Sequence, residues 1–563
     1  MKSKKWIALA LACVMLLALA ACGGDTTAAS SGGSSGTAAA SGSSGSSGSA
    51  GGSTTEEVTA AIANAGVKGA NADPANTTVT DENLVIGLAS EPSTLWGAAS
   101  GKQENESQII NSALMDNLVN ADKQTGDIIP ELATSWEWVD GTHCRFTLRD
   151  DVTMSDGTPL VADDVVYTVG VWKEYSGNND TGSYIVGAEA EDEHTVVIEF
   201  TTAAPDLLAM LTWSNFGIAS EDEVNAAGGI DGVGRNPLIG SGKYRFKEWK
   251  NGQSITIERN DNYWDKDWKG YFKTITFTFT NDGAAREMAV ESGDAGVAAD
   301  MPVTQAATYA QNPNVSTIIY PFGQVMHLWY NMGDNAGATK DLKVRQAIDL
   351  ALNFDAMSMV ASGGFGQSAL GYFPTDSKYY NATYTNEERA VQLDQAKALL
   401  AEAGYGDGLE LSILGLQDTV PLYTVIQANL RDVGINLKID APDVPQFVMG
   451  ANGGEYDMIV VGELADYRYP ALLGFMRWAN INTFWIGGPK WTTDEIESTI
   501  YAAIEEQDEA KAKEMLGTVE QLMKDNCVVS NICPEMHAAI IGPDLKGYTT
   551  IERGFMDPTN FYR

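Results

Sequence analysis

The chain has 563 residues, of which 44% are hydrophobic, and its formal net charge at pH 7 is −39. This length exceeds what one compact core usually organises and predicts two or three domains with a large buried interior. The acidic balance excludes docking on nucleic acid or on an anionic lipid surface by charge. It is typical of a protein kept soluble by its charge, and an attraction for cationic ligands is the alternative.

The first 21 residues have the features of a secretory signal peptide. Three lysines among the first five residues form a basic start, and the apolar run over residues 6–21 is too short to span a bilayer. Cys22 follows Leu-Ala-Ala and precedes Gly23. This pattern resembles the lipobox of bacterial lipoproteins, which implies a diacylglycerol on the Cys22 thiol and a firm membrane anchor of several acyl chains. An ordinary signal peptide with a chance cysteine is the alternative.

Residues 22–78 carry mainly Gly, Ser, Ala and Thr, with few large apolar side chains. Such a segment cannot bury enough apolar surface to offset the entropy of ordering, so it is predicted to be a flexible linker. About 50 linker residues have a root-mean-square span of roughly 40 Å, which would hold a folded body clear of a membrane.

The folded body begins with an apolar strand at residues 84–88, and a helix is predicted over 106–119. The stretch from 136 to 149 alternates on both sides of an Asp-Gly turn and predicts a hairpin. A helix start signal follows at residue 162. The hairpin alternation places Cys144 on its buried face as a free thiol, while Cys527 and Cys533 could either form a disulfide or stay reduced.

Residues 129–169 carry a series of motifs that resemble the signature of the family 5 extracellular solute-binding proteins of ABC importers. That family holds dipeptide-, oligopeptide- and nickel-binding proteins. The matching motifs are Pro130, Leu132-Ala133, Ser135-Trp136, residues 148–152 (LRDDV), residues 156–159 (DGTP) and residues 162–165 (ADDV). Further matches follow in the family's order at residues 236–244, 258–264, 341–348 and 396–405.

The resemblance implies an α/β fold of the periplasmic-binding-protein-like type II class, with two α/β lobes around a ligand cleft and an extra domain inserted in the first lobe. The expected divisions are lobe I from residues 79–120, 233–325 and 526–563, the inserted domain from 121–232, and lobe II from 326–525. Arg345, on a helix that begins after Asp341, is expected to be a structural ion-pair member rather than a ligand contact.

Residues 409–462 alternate between apolar strands and amphipathic helices, which predicts an open α/β sheet. Such sheets bind ligands beyond the carboxyl ends of their strands. Residues 493–525 are predicted to form one or two amphipathic helices, and the last segment, 528–561, is expected to return to the first lobe and complete its sheet.

The segment after the third of these strands resembles the family's binding segment, whose aspartate pairs with the α-ammonium of a bound peptide. The resemblance gives this role to Asp466, with Tyr467 beside it, since a buried cation needs a buried anion. An aspartate that caps the next turn is the alternative. Glu463 stands where the family usually has tryptophan, and this second carboxylate either meets a more cationic ligand or lies exposed.

Other candidates are residues that could line a pocket for apolar side chains and peptide groups. These aromatic and amide side chains could equally belong to the core. The candidates after Asp466 are Trp478, Asn482 and Trp485, and those in the loop after the first strand are Ser93, Thr94 and Trp96.

The leading hypothesis is a lipid-anchored, extracytoplasmic receptor, with a monomeric head, that captures short peptides and delivers them to an ABC permease with cytoplasmic ATPases. A metal complex or an oligosaccharide is the alternative ligand, and a sensory surface lipoprotein is the alternative role. The four histidines are scattered and predict no metal site, and no cofactor is expected. An extracellular hydrolase is disfavoured because no HExxH motif and no nucleophile elbow in a strand–helix context occurs.

Overall fold

The structure is a computed structural model of the chain. It describes residues 79–96, 104–122, 125–175, 184–201, 205–233, 240–333, 336–375, 377, 379–454, 456–464, 494–506, 508–551 and 554–563. These residues lie within one compact unit, Ser53–Arg563. The predicted signal segment, Cys22 and the linker lie outside the described residues.

The described chain up to residue 233 contains, in order, β1 (Asn83–Leu88), α1 (Asn105–Leu114), β2 (Val119–Ala121), β3 (Ile128–Pro130), β4 (Ala133–Trp138), β5 (His143–Leu148), α2 (Ala162–Tyr175), β6 (Ile185–Asp192), β7 (Thr195–Phe200), α3 (Pro205–Met210), α4 (Glu221–Ala226) and α5 (Ile230–Val233). β4, β5, β7 and β6 form an antiparallel sheet in that order. The predicted hairpin and the helix from residue 162 are therefore confirmed.

The middle of the chain forms β8 (Tyr244–Lys250), β9 (Ser254–Arg259), β10 (Thr274–Phe279), α6 (Gly283–Ser292), β11 (Val297–Met301), α7 (Ala306–Tyr309) and β12 (Ser316–Tyr330). β1 pairs in parallel with both β10 and β11, so the first predicted strand is central to this group. β8 and β9 extend the same sheet in antiparallel register.

The last part forms α8 (Leu342–Ala351), α9 (Phe354–Ala361), α10 (Leu393–Glu402), β13 (Leu409–Leu414), α11 (Val420–Arg431), β14 (Ile435–Asp440), α12 (Val444–Gly453), β15 (Met458–Leu464), α13 (Asp494–Glu505), α14 (Glu509–Asp525) and β16 (Val529–Ile541). β13 pairs in parallel with β14 and β15, as the alternating pattern predicts. The two predicted helices between residues 493 and 525 are also confirmed.

A mixed sheet joins all of these groups in the order β14-β13-β15-β12-β16-β11-β1-β10-β9-β8 within the described residues. The long strands β12 and β16 pair with each other and lie between the two parallel groups. β12 also pairs with β15, and β16 also pairs with β11. One pair of strands therefore carries the chain from one parallel group to the other, and the last segment returns to the first group as predicted.

Two sequence predictions about local structure are wrong. The helix predicted over 106–119 ends at Leu114, because Met115 adopts an extended conformation with φ −129° and ψ 143°. Arg345 makes no ion pair in the described structure; its guanidinium donates to the backbone carbonyls of residues 339, 340, 526 and 527 at 2.7–3.0 Å. Arg345 therefore has the predicted structural role, but backbone carbonyls, not a carboxylate, bind its buried guanidinium.

The thiols of Cys144, Cys527 and Cys533 are free and buried. The prediction for Cys144 is confirmed, and the open alternative for the other two is resolved in favour of reduced cysteines. Burial raises the pKa of the Cys533 thiol to about 12, which makes it inert as a nucleophile near neutral pH.

Glu520 on α14 predicts a pH dependence of stability. Its side chain is buried and accepts hydrogen bonds from Asn381 and Thr383, and burial raises its pKa to about 7. The unfolded carboxyl ionises near pH 4.5 while the folded one keeps its proton, so stability falls as pH rises from 4.5 to 7, by about 3 kcal/mol. We expect Glu520→Gln to remove this part of the decrease in the free energy of unfolding. The measurement compares the denaturation midpoints of the variant and the wild type at pH 5 and 7.5.

Glu514→Gln, on the exposed side of the same helix, is the matched control. It should leave the pH dependence unchanged. An equal fall in the wild type and in Glu520→Gln would contradict the assignment.

Candidate functional site

The carboxyl ends of the two parallel groups face each other across the middle of β12 and β16. β11 runs antiparallel to β16 and reaches Met301 opposite Ala538. β15 runs antiparallel to β12 and reaches Leu464 opposite Gln324. Because β12 and β16 are themselves antiparallel, β11 and β15 point toward each other from opposite sides. Ligands of open α/β sheets bind beyond carboxyl ends, so this meeting point is the candidate site.

The pairing of β12 with β16 is irregular at this meeting point. The register shifts between Pro321 and Val325, so Glu535 has no partner in the ladder. Pro321 and Pro534 have no N–H to donate, and Gly323 has a φ of 55°, in the left-handed region that favours glycine. Backbone hydrogen bonding is interrupted here in both connecting strands, which lowers the cost of bending them.

A polar cluster fills the irregular stretch, and we name Asp300, Gln324, Glu535 and His537 the crossing cluster. Nδ1 of His537 lies 3.1 Å from Oδ1 of Asp300, and its Nε2 lies 2.9 Å from Oε1 of Glu535. The second oxygen of Glu535 accepts from the side-chain amide of Gln324. The imidazole ring stacks on Phe322 with 4.0 Å between ring centroids. The cluster therefore links the end of β11 to the residue opposite the end of β15.

The charge on His537 follows from its partners. Both ring nitrogens face carboxylate oxygens, and only the doubly protonated ring can donate to both. Burial opposes the charge, but the hydrogen bonds and charges of Asp300 and Glu535 outweigh it and raise the pKa of His537 to about 9. With this proton in place the crossing cluster has one positive and two negative charges near neutral pH.

Asp300 is held in a costly backbone conformation. Its φ is 48°, which non-glycine residues rarely adopt, and its carbonyl accepts from Nη2 of Arg286 at 2.9 Å. Conformations of this kind persist where the surroundings over-determine them, and they concentrate at functional sites.

The predicted site residues are only partly described. Asp466, Tyr467, Trp478, Asn482 and Trp485 lie outside the described residues. The backbone of Glu463 pairs with Val325 one residue before the end of β15, at the meeting point. Its side chain is not part of the description, so its contact with ligand stays a prediction.

The loop after β1 is held firmly against α1. Ser93 donates through its backbone N–H and its hydroxyl to Glu104, each at 2.6 Å. Thr94 is 7% exposed and Trp96 is fully buried, so neither offers much surface in this state. Thr94 and Trp96 are packed beneath the loop surface, and contact of these three residues with ligand stays a prediction.

Sequence reasoning missed the crossing cluster. Asp300 and His537 are 237 residues apart in the chain, and no local pattern pairs them. The available signals were a proline in each connecting strand and a histidine two residues after Glu535.

Neither a metal-ligand set nor a membrane span occurs in the described part of the chain. No group of three or more described His, Cys, Asp or Glu side chains is placed to hold a metal ion, and in the crossing cluster both ring nitrogens of His537 are hydrogen-bonded to carboxylates. No described helix combines the length and apolar character that crossing a membrane requires.

Comparison with known proteins agrees with this geometry. The murein peptide-binding protein MppA of Escherichia coli K12 is 24% identical over 512 residues, covering 84% of this chain and 92% of its own. The Helicobacter pylori DppA structure, in complex with the peptide STSA, superposes with a TM-score of 0.72 at 21% identity over 85% of this chain and 98% of its own. The structure of AgaA with agropinic acid, from A. tumefaciens R10, gives 0.70 at 24% identity over 85% and 98%.

These solved relatives are type II periplasmic binding proteins, so the predicted fold class is confirmed. Their family consists of solute-binding proteins rather than enzymes. The profile of the bacterial extracellular solute-binding proteins, family 5 Middle, matches residues 127–481. The chain therefore belongs to the family 5 bacterial extracellular solute-binding proteins.

Proposed function

We propose that this chain is the membrane-anchored solute-binding component of an ABC importer, and that it captures short peptides between two lobes without chemistry on the ligand. The observation that carries the proposal is the meeting of the carboxyl ends of β11 and β15 across an irregular stretch of the connecting strands. Closure of two lobes around a ligand requires such a bendable connection, and contacts from both sides then shift the population toward the closed state.

We propose that the head divides at the predicted bounds. Lobe I would comprise residues 79–120, 233–325 and 526–563, and lobe II residues 326–525. The inserted domain, 121–232, would contain the antiparallel sheet β4-β5-β7-β6. A hydrophobic cluster around α8, α11 and β13–β15 supports a separate core for lobe II.

Peptides are the favoured ligand class because several relatives carry peptide-binding names, including MppA and the oligopeptide-binding protein AppA of Bacillus subtilis 168, which is 28% identical over 416 residues. Another solute is the second candidate, since AgaA shares the fold and its structure holds agropinic acid. Asp466 would pair with the α-ammonium of a peptide, with Glu463, Tyr467, Trp478, Asn482 and Trp485 around it.

A thermal-shift panel on the purified full chain tests the ligand class. It compares di- to pentapeptide mixtures with maltotriose and with a nickel–histidine complex. A ligand at 100 times its dissociation constant stabilises the folded state by about 2.7 kcal/mol. We expect only peptides to raise the melting temperature; a rise with the sugar or the nickel complex alone would overturn the peptide assignment.

The anchor and the partners follow from the lipobox resemblance and the family. Lipidated Cys22 would hold the protein on the outer face of the cell membrane of a single-membrane bacterium, with a monomeric head free to deliver ligand to two permease subunits and their ATPases. Cys22→Ser is expected to move the protein from the membrane fraction to the medium. Retention of the variant in membranes would contradict the lipid anchor.

A further inference from the structure

The crossing cluster joins three elements that carry the two sides of the candidate site. Asp300 lies one residue before the end of β11, and His537 and Glu535 lie on β16. Gln324 lies on β12, opposite Leu464 at the end of β15. Glu535 also rests against β15 itself: a Cβ atom at Gly462 would lie 2.8 Å from its Oε2. Its carboxylate thus occupies the space that the missing side chain leaves.

β15 leads into the predicted binding segment: Glu463 lies within the strand, and Asp466 follows two residues after its end. Between Pro321 and Val325 no residue of β12 has a ladder partner on β16. The end of β15 is paired with β12 through Leu464, and the contact of Glu535 with Gln324 and Gly462 links this paired end to β16 through side chains. The position of this end of β15 relative to β16 therefore depends on the side-chain carboxylate of Glu535, because the ladder between β12 and β16 is interrupted here.

The carboxylate of Glu535 is in turn held by the imidazole of His537. His537 donates to both Glu535 and Asp300, and its ring is fixed by stacking on Phe322. Without the second ring proton only one of the two carboxylates could receive a hydrogen bond, and the two negative charges would lose the cation between them.

We propose that His537 is a positioning residue for the ligand site: through Glu535 and Gln324 it sets the end of β15, so ligand affinity depends on its charge. This inference rests on the proposed function and adds a pH response to it. His537 does not touch ligand in this account. Affinity is full while the ring is doubly protonated and falls when the ring becomes neutral, in the alkaline range.

Other titratable or charged groups near His537 could in principle cause a pH response. Tyr320 on β12 lies 6.0 Å from the imidazole between ring centroids, and Tyr548 packs on Tyr320 at 5.7 Å. Arg286 on α6 binds the backbone carbonyl of Asp300 rather than its carboxylate. Both tyrosines are buried, and burial raises their pKa above the ordinary value. The group of this set that changes charge between pH 7 and 10 is therefore the histidine.

The test compares His537→Gln with the wild type, using trialanine as the probe and the purified full chain. We expect the variant to bind about tenfold more weakly at pH 7, with the ratio of the two dissociation constants approaching one at pH 10, where the wild-type ring is neutral. Use of the ratio removes the titration of the peptide's own amino group, which is common to both proteins.

His143→Gln is the matched control. His143 also lies beside a carboxylate, with its Nδ1 2.9 Å from Asp140, and the hydrogen bond to Asp140 raises its pKa, but it is half-buried at the edge of the hairpin formed by β4 and β5, in the proposed inserted domain. Its ratio to wild type should be one at both pH values. A pH-independent ratio for His537→Gln, or equal affinity at pH 7, would overturn the proposal.

A second variant and a ligand-free readout separate this proposal from the proposed function. Glu535→Gln keeps an acceptor for Gln324 but removes a charge beside His537, so the loss of affinity should move to lower pH. Hydrogen exchange of residues 458–464 at pH 7 should be several-fold faster in His537→Gln than in His143→Gln. Unchanged exchange would overturn the positioning role, whereas failure of every peptide to bind the wild type would overturn the proposed function instead.

Discussion

Arg389→Met is expected to destabilise the folded chain by about 3–5 kcal/mol, because it removes a buried cation and leaves the half-buried carboxylate of Asp349 without its partner. Nη1 of Arg389 lies 3.2 Å from Asp349, and the arginine side chain is 4% exposed. Its guanidinium carbon lies 4.0 Å from the ring centroid of Phe354 and 3.8 Å from that of Tyr384. A methionine fills part of the volume but replaces neither the ion pair nor the cation–π contacts.

The measurement is the denaturant midpoint of the variant against the wild type, and the matched control is Arg145→Met. Arg145 forms two ion pairs, with Glu137 and Glu191, on an exposed surface of the inserted sheet. Its replacement should change the midpoint little, since exposed ion pairs are screened by solvent. Similar midpoints for both variants would contradict a buried, stabilising ion pair between Arg389 and Asp349.

Asp466→Asn is expected to weaken binding of a peptide with a free amino end by about 30- to 150-fold, equivalent to roughly 2–3 kcal/mol. The neutral amide would leave the peptide's ammonium without a counter-charge inside a closed site. Isothermal titration calorimetry at pH 7 with trialanine measures the change directly.

The controls are an N-acetylated trialanine and an exposed aspartate. The acetylated peptide should bind Asp466→Asn no more weakly than the wild type, since neither complex contains the ammonium. Asp407→Asn, at an exposed turn, should bind trialanine as the wild type does. A dissociation constant for Asp466→Asn within twofold of wild type would remove this residue from the site.

The elements that sequence reasoning predicted are those with a strong local pattern. The apolar run at 84–88, the hairpin around residues 140–141 and the strand–helix alternation over 409–461 each encode their structure within a few residues. The family motifs then supplied the topology, which no periodicity in one sequence contains. The bounds of the lobes stay predictions of the same kind.

The errors and omissions arise from contacts between distant segments. Helix α1 ends at Leu114 although the apolar pattern continues, because the chain turns to place the carboxylate of Asp116 among Ser241, Tyr263 and Trp264. The carbonyl partners of Arg345 belong to segments that only the fold brings together. Interactions of this kind have no signal in local composition.

The crossing cluster shows the same limit at the site itself. The function of Glu535 and His537 depends on the register shift between two strands that are 200 residues apart in the chain. A proline in each strand is compatible with many structures, and only the pairing makes it a break in the ladder. Prediction of this part of the site requires the topology first.

Native mass spectrometry of the full chain, purified under conditions that retain co-purified ligand, tests peptide capture most directly. If the chain captures peptides, it should carry added masses that fragment into short peptides and that disappear when the chain is unfolded and refolded. Added masses that fragment as sugars or other non-peptide solutes would contradict it.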